Sequence, residues 1–469
     1  MVELGSLAAV AAAIRAGKVS PVEVTRHCLE RIARLDGRLR AFITVDADGA
    51  LAAARRLEAE AARGQWRGPL HGVPLAFKDL CAIGGLPTSC GTATPDYFTA
   101  APECTAVRRL LDAGGVGLGK LNMTELAMGA LGDNPHHGHA RNPWNPEHCT
   151  GGSSSGSGVA IAAGFAVGAI GTDTGGSIRL PAAFCGITGL KPTYGRVSRA
   201  GAMALSWSND HIGPMARTAA DCARMLQAMA GPDPLDATAS AHAVDDYVAA
   251  LDRPVRGLRV GVAEALLAQG LAPEMEAAVR AAAAVFGTLG VRVEPVRLPD
   301  LQAVADVTGL ISRSEGSALH GGLLRDRPER LGAFTRARLE LGLGVPAFDY
   351  LQALRLRARL TRTFTREVWG EVDALVAPVI AQPAPPLSFA VDGDLQTIVE
   401  RQGRLSRLTR PFNGLGMPAL SLPCGFSAAG LPLALQLVGR PFDEATVLRL
   451  GHAYQGATDW HRRVPALAG

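Results

Sequence analysis

The stretch "GGSSSGSGVAIAAGFAVGAIGTDTGGSIRLPAAF", Gly151–Phe184, decides how the rest of the chain is read. Its opening, Gly151–Gly158, has the composition of a flexible linker. Yet it lies deep inside a 469-residue chain, runs straight into an apolar segment, and carries G-x-S-x-G at Gly152–Gly156. That last pattern marks the nucleophile elbow of serine hydrolases. The segment is therefore a linker, an elbow centred on Ser154, or a catalytic loop of another kind. An elbow needs a strand before its serine, and the preceding "ARNPWNPEHCT" is too rich in Pro and Asn for a central strand. His320, His452 and His461 lie downstream without a recognisable triad context, and "HGG" at His320 follows the serine where an oxyanion motif would precede it.

Outward from this stretch, helices alternate with strands. "SSGSGVAIAAGFA" reads as a small-residue helix opening from the glycine loop, and "VGAIGTD" as a buried strand passing into a second glycine turn. Upstream, Ser6 caps a helix with Leu7, Val10, Ala11 and Ile14 on one face. "SPVE", Ser20–Glu23, supplies a capping box and an N1 proline for a second helix, with Val24, Cys28, Ile32 and Leu35 at helical spacing. "GPLHGVPLAFKDL" reads as a short strand, "CTAVRRLLDAGG" as a helix and "VGLGKLN" as the next strand. The turn-rich "GPDPLDATAS" separates this part from a more helical region that starts with the strand-like "GLRVGVAEALL" and includes a long helix, roughly Val345 to Val368. Strand-like "ALVAPVIA", "ALSLPCG" and "LALQLVG" follow. The class is α/β around one extended sheet.

Composition bounds the function. A net charge of +4 with no dense Lys/Arg run gives no prompt for nucleic-acid binding. The first apolar run, Leu7–Ile14, lacks a basic leader and is too short to span a bilayer, which reads as a cytoplasmic protein. Eight scattered cysteines without a C-x-x-C pair read as buried thiols in a reducing compartment. "DNPHHGH" brings His136, His137 and His139 together, but no carboxylate or cysteine joins them at a ligand spacing, so the reading is a polar loop and no metal. No Gly-Lys-Ser/Thr follows the glycines, so no phosphate loop is present and no cofactor is called for.

Of 47 basic residues only Lys18, Lys78, Lys120 and Lys191 are lysine. Arginine cannot lose its proton inside a protein, whereas a desolvated lysine can. Lys78 lies between the apolar flanks "PLAF" and "LCAIGG"; Lys191, before Pro192, reads as structural and Lys18 as ordinary.

Lys78, the Gly151–Gly158 loop and "GTDTGGSIRLPAAFCGITGLKPTYGRVSR" together resemble the amidase signature family, which includes amidases and the glutaminase subunit of tRNA-dependent amidotransferases. The 75 positions from Lys78 to Ser153 and the 24 from Ser153 to Ser177 match that family's pattern, and the likeness extends to "PFNGLGMPALSLPCG". The resemblance implies a large mixed twisted β-sheet covered on both faces by α-helices. It implies one amidase domain over 1–469, with a catalytic core over about 60–230 and 370–460 and a substrate-shaping region over about 231–369. Ser177 would be the nucleophile, Ser153, after a cis bond from Gly152, the middle member, and Lys78 the base. Backbone N–H groups of Thr174, Gly175, Gly176 and Ser177 would form the oxyanion hole, with Asp173 and Arg179 as scaffold charges and Ser154 as a hydrogen-bonding support. Lysine, with a free pKa of about 10.4, serves as a base near neutrality only when burial depresses that value. A hydroxyl between it and the nucleophile relays the proton because it donates and accepts at once. The family commonly has Gly at Ser155 and often Pro at Thr150, changes expected on the loop rim.

The amide itself is less legible. The glutaminase pattern pairs an Arg with an Asp; Arg338 fits the first, but Ser406 or its neighbours stand where the Asp is expected. An ammonium left without that partner loses a charge-assisted bond of about 1.5–3 kcal/mol. The expectation is thus a stand-alone amidohydrolase acting on a small-molecule amide, a homodimer being possible. A glutaminase subunit is the alternative, and a non-catalytic scaffold or an esterase of the elbow type the remaining ones. Met123–Gly129, Trp207 and the helical region after Ile311 are the expected pocket walls.

Overall fold

The computed structural model describes residues 5–100, 103–268 and 270–468. Its frame is one mixed sheet of eleven strands. They are β1 (Phe42–Val45), β2 (Pro74–Lys78), β3 (Val116–Leu121), β4 (Gly168–Asp173), β5 (Thr188–Lys191), β6 (His211–Ala216), β7 (Arg259–Val262), β8 (Arg292–Pro295), β9 (Ala374–Pro378), β10 (Ala419–Phe426) and β11 (Pro432–Gly439). They lie in the order β1-β3-β2-β4-β6-β5-β10-β11-β9-β7-β8. β2 runs parallel to both β3 and β4, and β7 parallel to both β8 and β9; the remaining pairings are antiparallel. Among the described residues no helix is long and apolar enough to cross a membrane.

Strand side chains alternate between faces, and the core divides accordingly. Leu75 and Phe77 of β2 and Ile170 of β4 join one apolar cluster, packed by Leu7, Val10 and Ile14 of the helix Leu7–Arg15 and by Val107 and Leu110 of Thr105–Asp112. Ala76 and Ala169, one position along, join a second cluster with Cys28 and Ile32 of Pro21–Leu39 and Val159–Ala162 of Ser155–Ala162. Helices therefore cover both faces. The N-terminal signals form as read: Ser6 accepts from Ala9 N–H, and Ser20 and Glu23 make the reciprocal capping box. All eight cysteines are buried.

Four strands, β1, β5, β6 and β8, were not legible. β1, "FITV", pairs only with β3 on one side, and β8, "RVEP", is an exposed edge strand paired only with β7. The span 231–369 is rich in helix, with Leu301–Asp326, Ala333–Leu343 and Ala347–Val368, but it also contributes β7 and β8 to the common sheet. The long helix begins at Ala347 because Pro346 occupies its N-cap.

The linker reading of Gly151–Gly158 fails on burial, since every residue of the loop is buried. Its glycines are there for contact. A Cβ at Gly156 would stand 2.3 Å from Ala41 O and 2.6 Å from Asn122 N, both backbone atoms that cannot swing aside. Gly156 N–H also donates to Asn122 O at 2.8 Å, seating the helix start on the segment after β3. Overpacking against backbone typically costs about 1–3 kcal/mol. Gly156→Ala is expected to lower stability by about 3 kcal/mol, read as a fall in the urea midpoint with an unchanged slope.

Candidate active site

The parallel pairing of β2 with β4 brings their C-terminal ends together and sets Lys78, the last residue of β2, beside Thr172 near the end of β4. Lys78 Nζ donates to Thr172 Oγ1 at 2.8 Å and to Ser153 Oγ at 2.6 Å. The side chain is fully buried and, among the described residues, has no carboxylate in salt-bridge range. Burial is the main cause of a pKa lowered to about 7; the charges of Cys81, Asp210 and Asp173 oppose it only in part.

Ser153 follows a cis peptide bond from Gly152. Its carbonyl accepts from Thr124 N–H at 3.1 Å, and Gly152 N–H donates to Ala130 O at 2.8 Å. Ser154 Oγ donates to Thr172 O and accepts from Thr172 N–H, both at 3.2 Å. A buried hydroxyl engaged twice with backbone is no elbow nucleophile, and this excludes that reading. Ser154 N–H donates to Ser177 O at 3.3 Å, so the two glycine turns are adjacent. Ser177 is 9 % exposed and lines a cavity of about 210 Å³; its hydroxyl makes no hydrogen bond among the described residues.

The turn that carries Ser177 is fixed by Asp173. Its carboxylate accepts from Gly176 N–H at 2.7 Å, Ile178 N–H at 3.1 Å and Asn413 Nδ2 at 2.8 Å. It also receives Arg179 Nε and Nη2, each at 3.0 Å, in a bidentate pair. Burial pushes the Asp173 carboxyl up, but the Arg179 charge and these hydrogen bonds outweigh it and hold it well below the usual carboxylate range. Arg179 is further held by Gln436 Oε1 at 2.9 Å and Asn413 Oδ1 at 2.7 Å. From outside, Thr409 Oγ1 donates to Gly175 O and Thr174 Oγ1 to Asp210, each at 2.6 Å.

One expected oxyanion donor is corrected. Gly176 N–H points back at Asp173, so it is not open to a ligand, and the φ of +135° that aims it there suits glycine. Thr174, Gly175 and Ser177 keep backbone N–H groups with no acceptor among the described residues. Thr150 and Ser155 are not on a rim: both are buried, donating to Gly151 O at 3.1 Å and Asn122 O at 3.4 Å.

Other candidates separate cleanly. Lys120 and Lys191 are as buried as Lys78. Lys120 meets Asp79 at 3.3 Å and Thr88 Oγ1 at 2.8 Å; Lys191 donates to the carbonyls of Pro192 and Met417. Lysine scarcity alone would not have told them apart. His136 bonds Glu125, His137 faces Thr92 O and His139 accepts from Asn134 N–H, which ties down the loop. Ala127, Met128 and Gly129 line the Ser177 cavity as expected, whereas Trp207 lines a neighbouring one of about 330 Å³. Sequence reading missed Thr172, Asn413, Gln436 and the cavity arginines Arg313 and Arg410. A Gln amid the apolar strand "LALQLVG" was the one available signal, because a buried amide needs partners.

A mixed-sheet α/β enzyme with a lysine-linked serine loop is thus the class that the fold and site define. The Amidase family profile matches residues 23–448. A glutamyl-tRNA(Gln) amidotransferase subunit of Roseiflexus sp. (strain RS-1) is 44% identical over 477 residues, covering 97% of this chain and 96% of its own. Native peptide amidase from Stenotrophomonas maltophilia shares 33% identity and a TM-score of 0.85, with 98% of each chain covered. A chain from a vestigial protein complex, connected with the origins of an s-triazine catabolic enzyme, shares 34% identity and a TM-score of 0.90, with 96% of this chain and 98% of that one covered. This chain belongs to the Amidase family and is an enzyme that hydrolyses carbon–nitrogen amide bonds.

Removing one partner of a buried ion pair leaves the other charge uncompensated, at about 3–5 kcal/mol. Asp173→Asn is therefore expected to destabilise the fold by about 3–5 kcal/mol in urea unfolding, well beyond the loss of an exposed pair such as Arg325–Asp326.

Proposed function

We propose that the enzyme cleaves a small-molecule amide through an acyl-enzyme on Ser177, with Lys78 as base and Ser153 as relay. The observation that carries this is the 2.6 Å hydrogen bond from a buried, carboxylate-free lysine to the serine of a rigid loop. Near neutrality about half of such an amine is unprotonated. Its lone pair takes the Ser153 proton as Ser153 takes that of Ser177, and Ser177 Oγ attacks the amide carbonyl. The carbonyl oxygen becomes an oxyanion facing the free N–H groups of Thr174, Gly175 and Ser177, where preorganised donors stabilise developing charge without reorganising. Collapse breaks the carbon–nitrogen bond, and the proton held by Lys78 returns through Ser153 to the leaving amine. Water then enters by the same route, frees the acid and restores Ser177. Asp173, Arg179 and Asn413 act by holding the turn, and Ser154 by holding the relay loop.

A second reading, a glutaminase working with partner proteins, is favoured by the 44% identity to a subunit of an amidotransferase. Against it stands the absence of any Asp or Glu from the described residues lining the Ser177 cavity, where a glutamine ammonium would need one.

Incubation with a fluorophosphonate should label Ser177, shown by peptide mass spectrometry, and Ser177→Ala should abolish both labelling and amide turnover. For Lys78 the lowered pKa sets the sign: the amine is protonated and idle below about 7. The initial rate over substrate at low concentration should therefore fall about tenfold per pH unit below that value and level off above it. A flat profile from pH 5 to 9, or labelled Ser177 with L-glutamine as the best of a panel of amides, would overturn the respective part of this reading.

A further inference from the structure

The cavity that holds Ser177 carries three arginines, Arg313, Arg338 and Arg410, and among the described residues lining it no Asp or Glu. Arg338 and Arg313 make no hydrogen bond or ion pair among the described residues; Arg338 only lies over the Phe334 ring, 5.8 Å from its centroid. Arg410 donates to Ser406, in the segment where Ser406 or a neighbour stands in place of a glutaminase's acid. Burial first, and then the charges of Arg410 and Arg313, together lower the Arg338 pKa to about 10. Like charges held together around one cavity, with no Asp or Glu among its described lining residues and Asp306, outside that lining, offsetting Arg410 only in part, favour an anion.

Its distance from the chemistry is short. Arg410 directly follows Thr409, whose hydroxyl anchors Gly175 O at 2.6 Å. Arg410 Nε lies only 3.8 Å from where a Cβ on Gly175 would stand. A carbonyl resting against the Gly175 and Ser177 N–H groups therefore has a guanidinium within a few bonds of it.

Resting on the reading of Ser177 as an amidase nucleophile, we infer that the substrate is the monoamide of a short dicarboxylic acid. Its free carboxylate is received by Arg338, Arg410 and Arg313, and it bears no ammonium group beside that carboxylate. An α-ammonium would face three guanidiniums with no acid to meet it, whereas a carboxylate accepts their forked N–H donors in pairs. A neutral amide of the same length would leave the arginines as they are in the free enzyme.

Binding and turnover are tested separately. In calorimetric titrations of the full-length Ser177→Ala protein, succinamate should bind at least about 30-fold more tightly than butyramide or L-glutamine, as one or two charge-assisted bonds imply. Arg338→Gln and Arg410→Gln should each reduce that ratio by about tenfold. Arg313→Gln, on an exposed residue, provides a variant whose folding is not at risk and should reduce it by a smaller factor. Equal affinities for succinamate and butyramide, a preference for L-glutamine, or arginine variants that weaken all three ligands alike would each overturn the inference. If the binding preference holds while Ser177 neither labels nor turns over succinamate, the proposed function fails and the anion site stands. If neutral amides are hydrolysed by Ser177 without the preference, the reverse is true.

Discussion

The site depends on one carboxylate. Asp173, at the end of a central strand, binds the guanidinium of Arg179, the N–H groups of Gly176 and Ile178, and the amide of Asn413. These partners come from the turn after β4, the helix Arg179–Cys185 and the short helix Arg410–Gly414, which lies more than two hundred residues away. A charge this deeply buried is tolerated because all its lone pairs are engaged. The geometric result is that the turn carrying Ser177 is held on several sides, while the N–H groups of Thr174, Gly175 and Ser177 have no acceptor among the described residues.

The same strand end fixes Lys78 in a different way. Asp173 is taken up by Arg179 and lies beyond salt-bridge range of the amine, so its charge offsets the burial of Lys78 only in part. What Lys78 meets is two hydroxyls, Ser153 and Thr172, and apolar walls. Hydroxyls solvate an ammonium poorly compared with a carboxylate, and that difference separates Lys78 from Lys120, which has Asp79 within 3.3 Å. Three lysines are equally hidden, yet among the described residues only Lys78 donates to a serine hydroxyl.

Local signals explain which parts of this architecture could be read from the chain. The Ser6 cap, the Ser20–Glu23 box and the small-residue start of Ser155–Ala162 depend on neighbours a few positions away, and all formed as read. The positions of Lys78, Ser153 and Ser177 were available through motif order and spacing. Partners set by long-range pairing were not: Thr172 reaches Lys78 only because β4 lies beside β2, and Asn413 and Gln436 reach Arg179 only because the C-terminal segment folds back onto the helix Arg179–Cys185. Gly176 was misjudged for a related reason. A glycine in a turn near a serine suggests a donor to substrate, while its actual acceptor is an aspartate whose orientation no spacing reveals. Strands β1 and β8, four residues each, carry too little pattern to stand out from loop.

An open sheet of eleven strands ends somewhere, and β8 is one of those ends. Its outward residues are Arg292, Glu294 and Pro295, with only Val293 partly covered. Peptide groups along a free border invite another chain to continue the ladder, and alternating charge followed by an imino acid makes such a continuation unfavourable. The brevity of this border, together with its charges, protects the molecule from polymerising through its own scaffold.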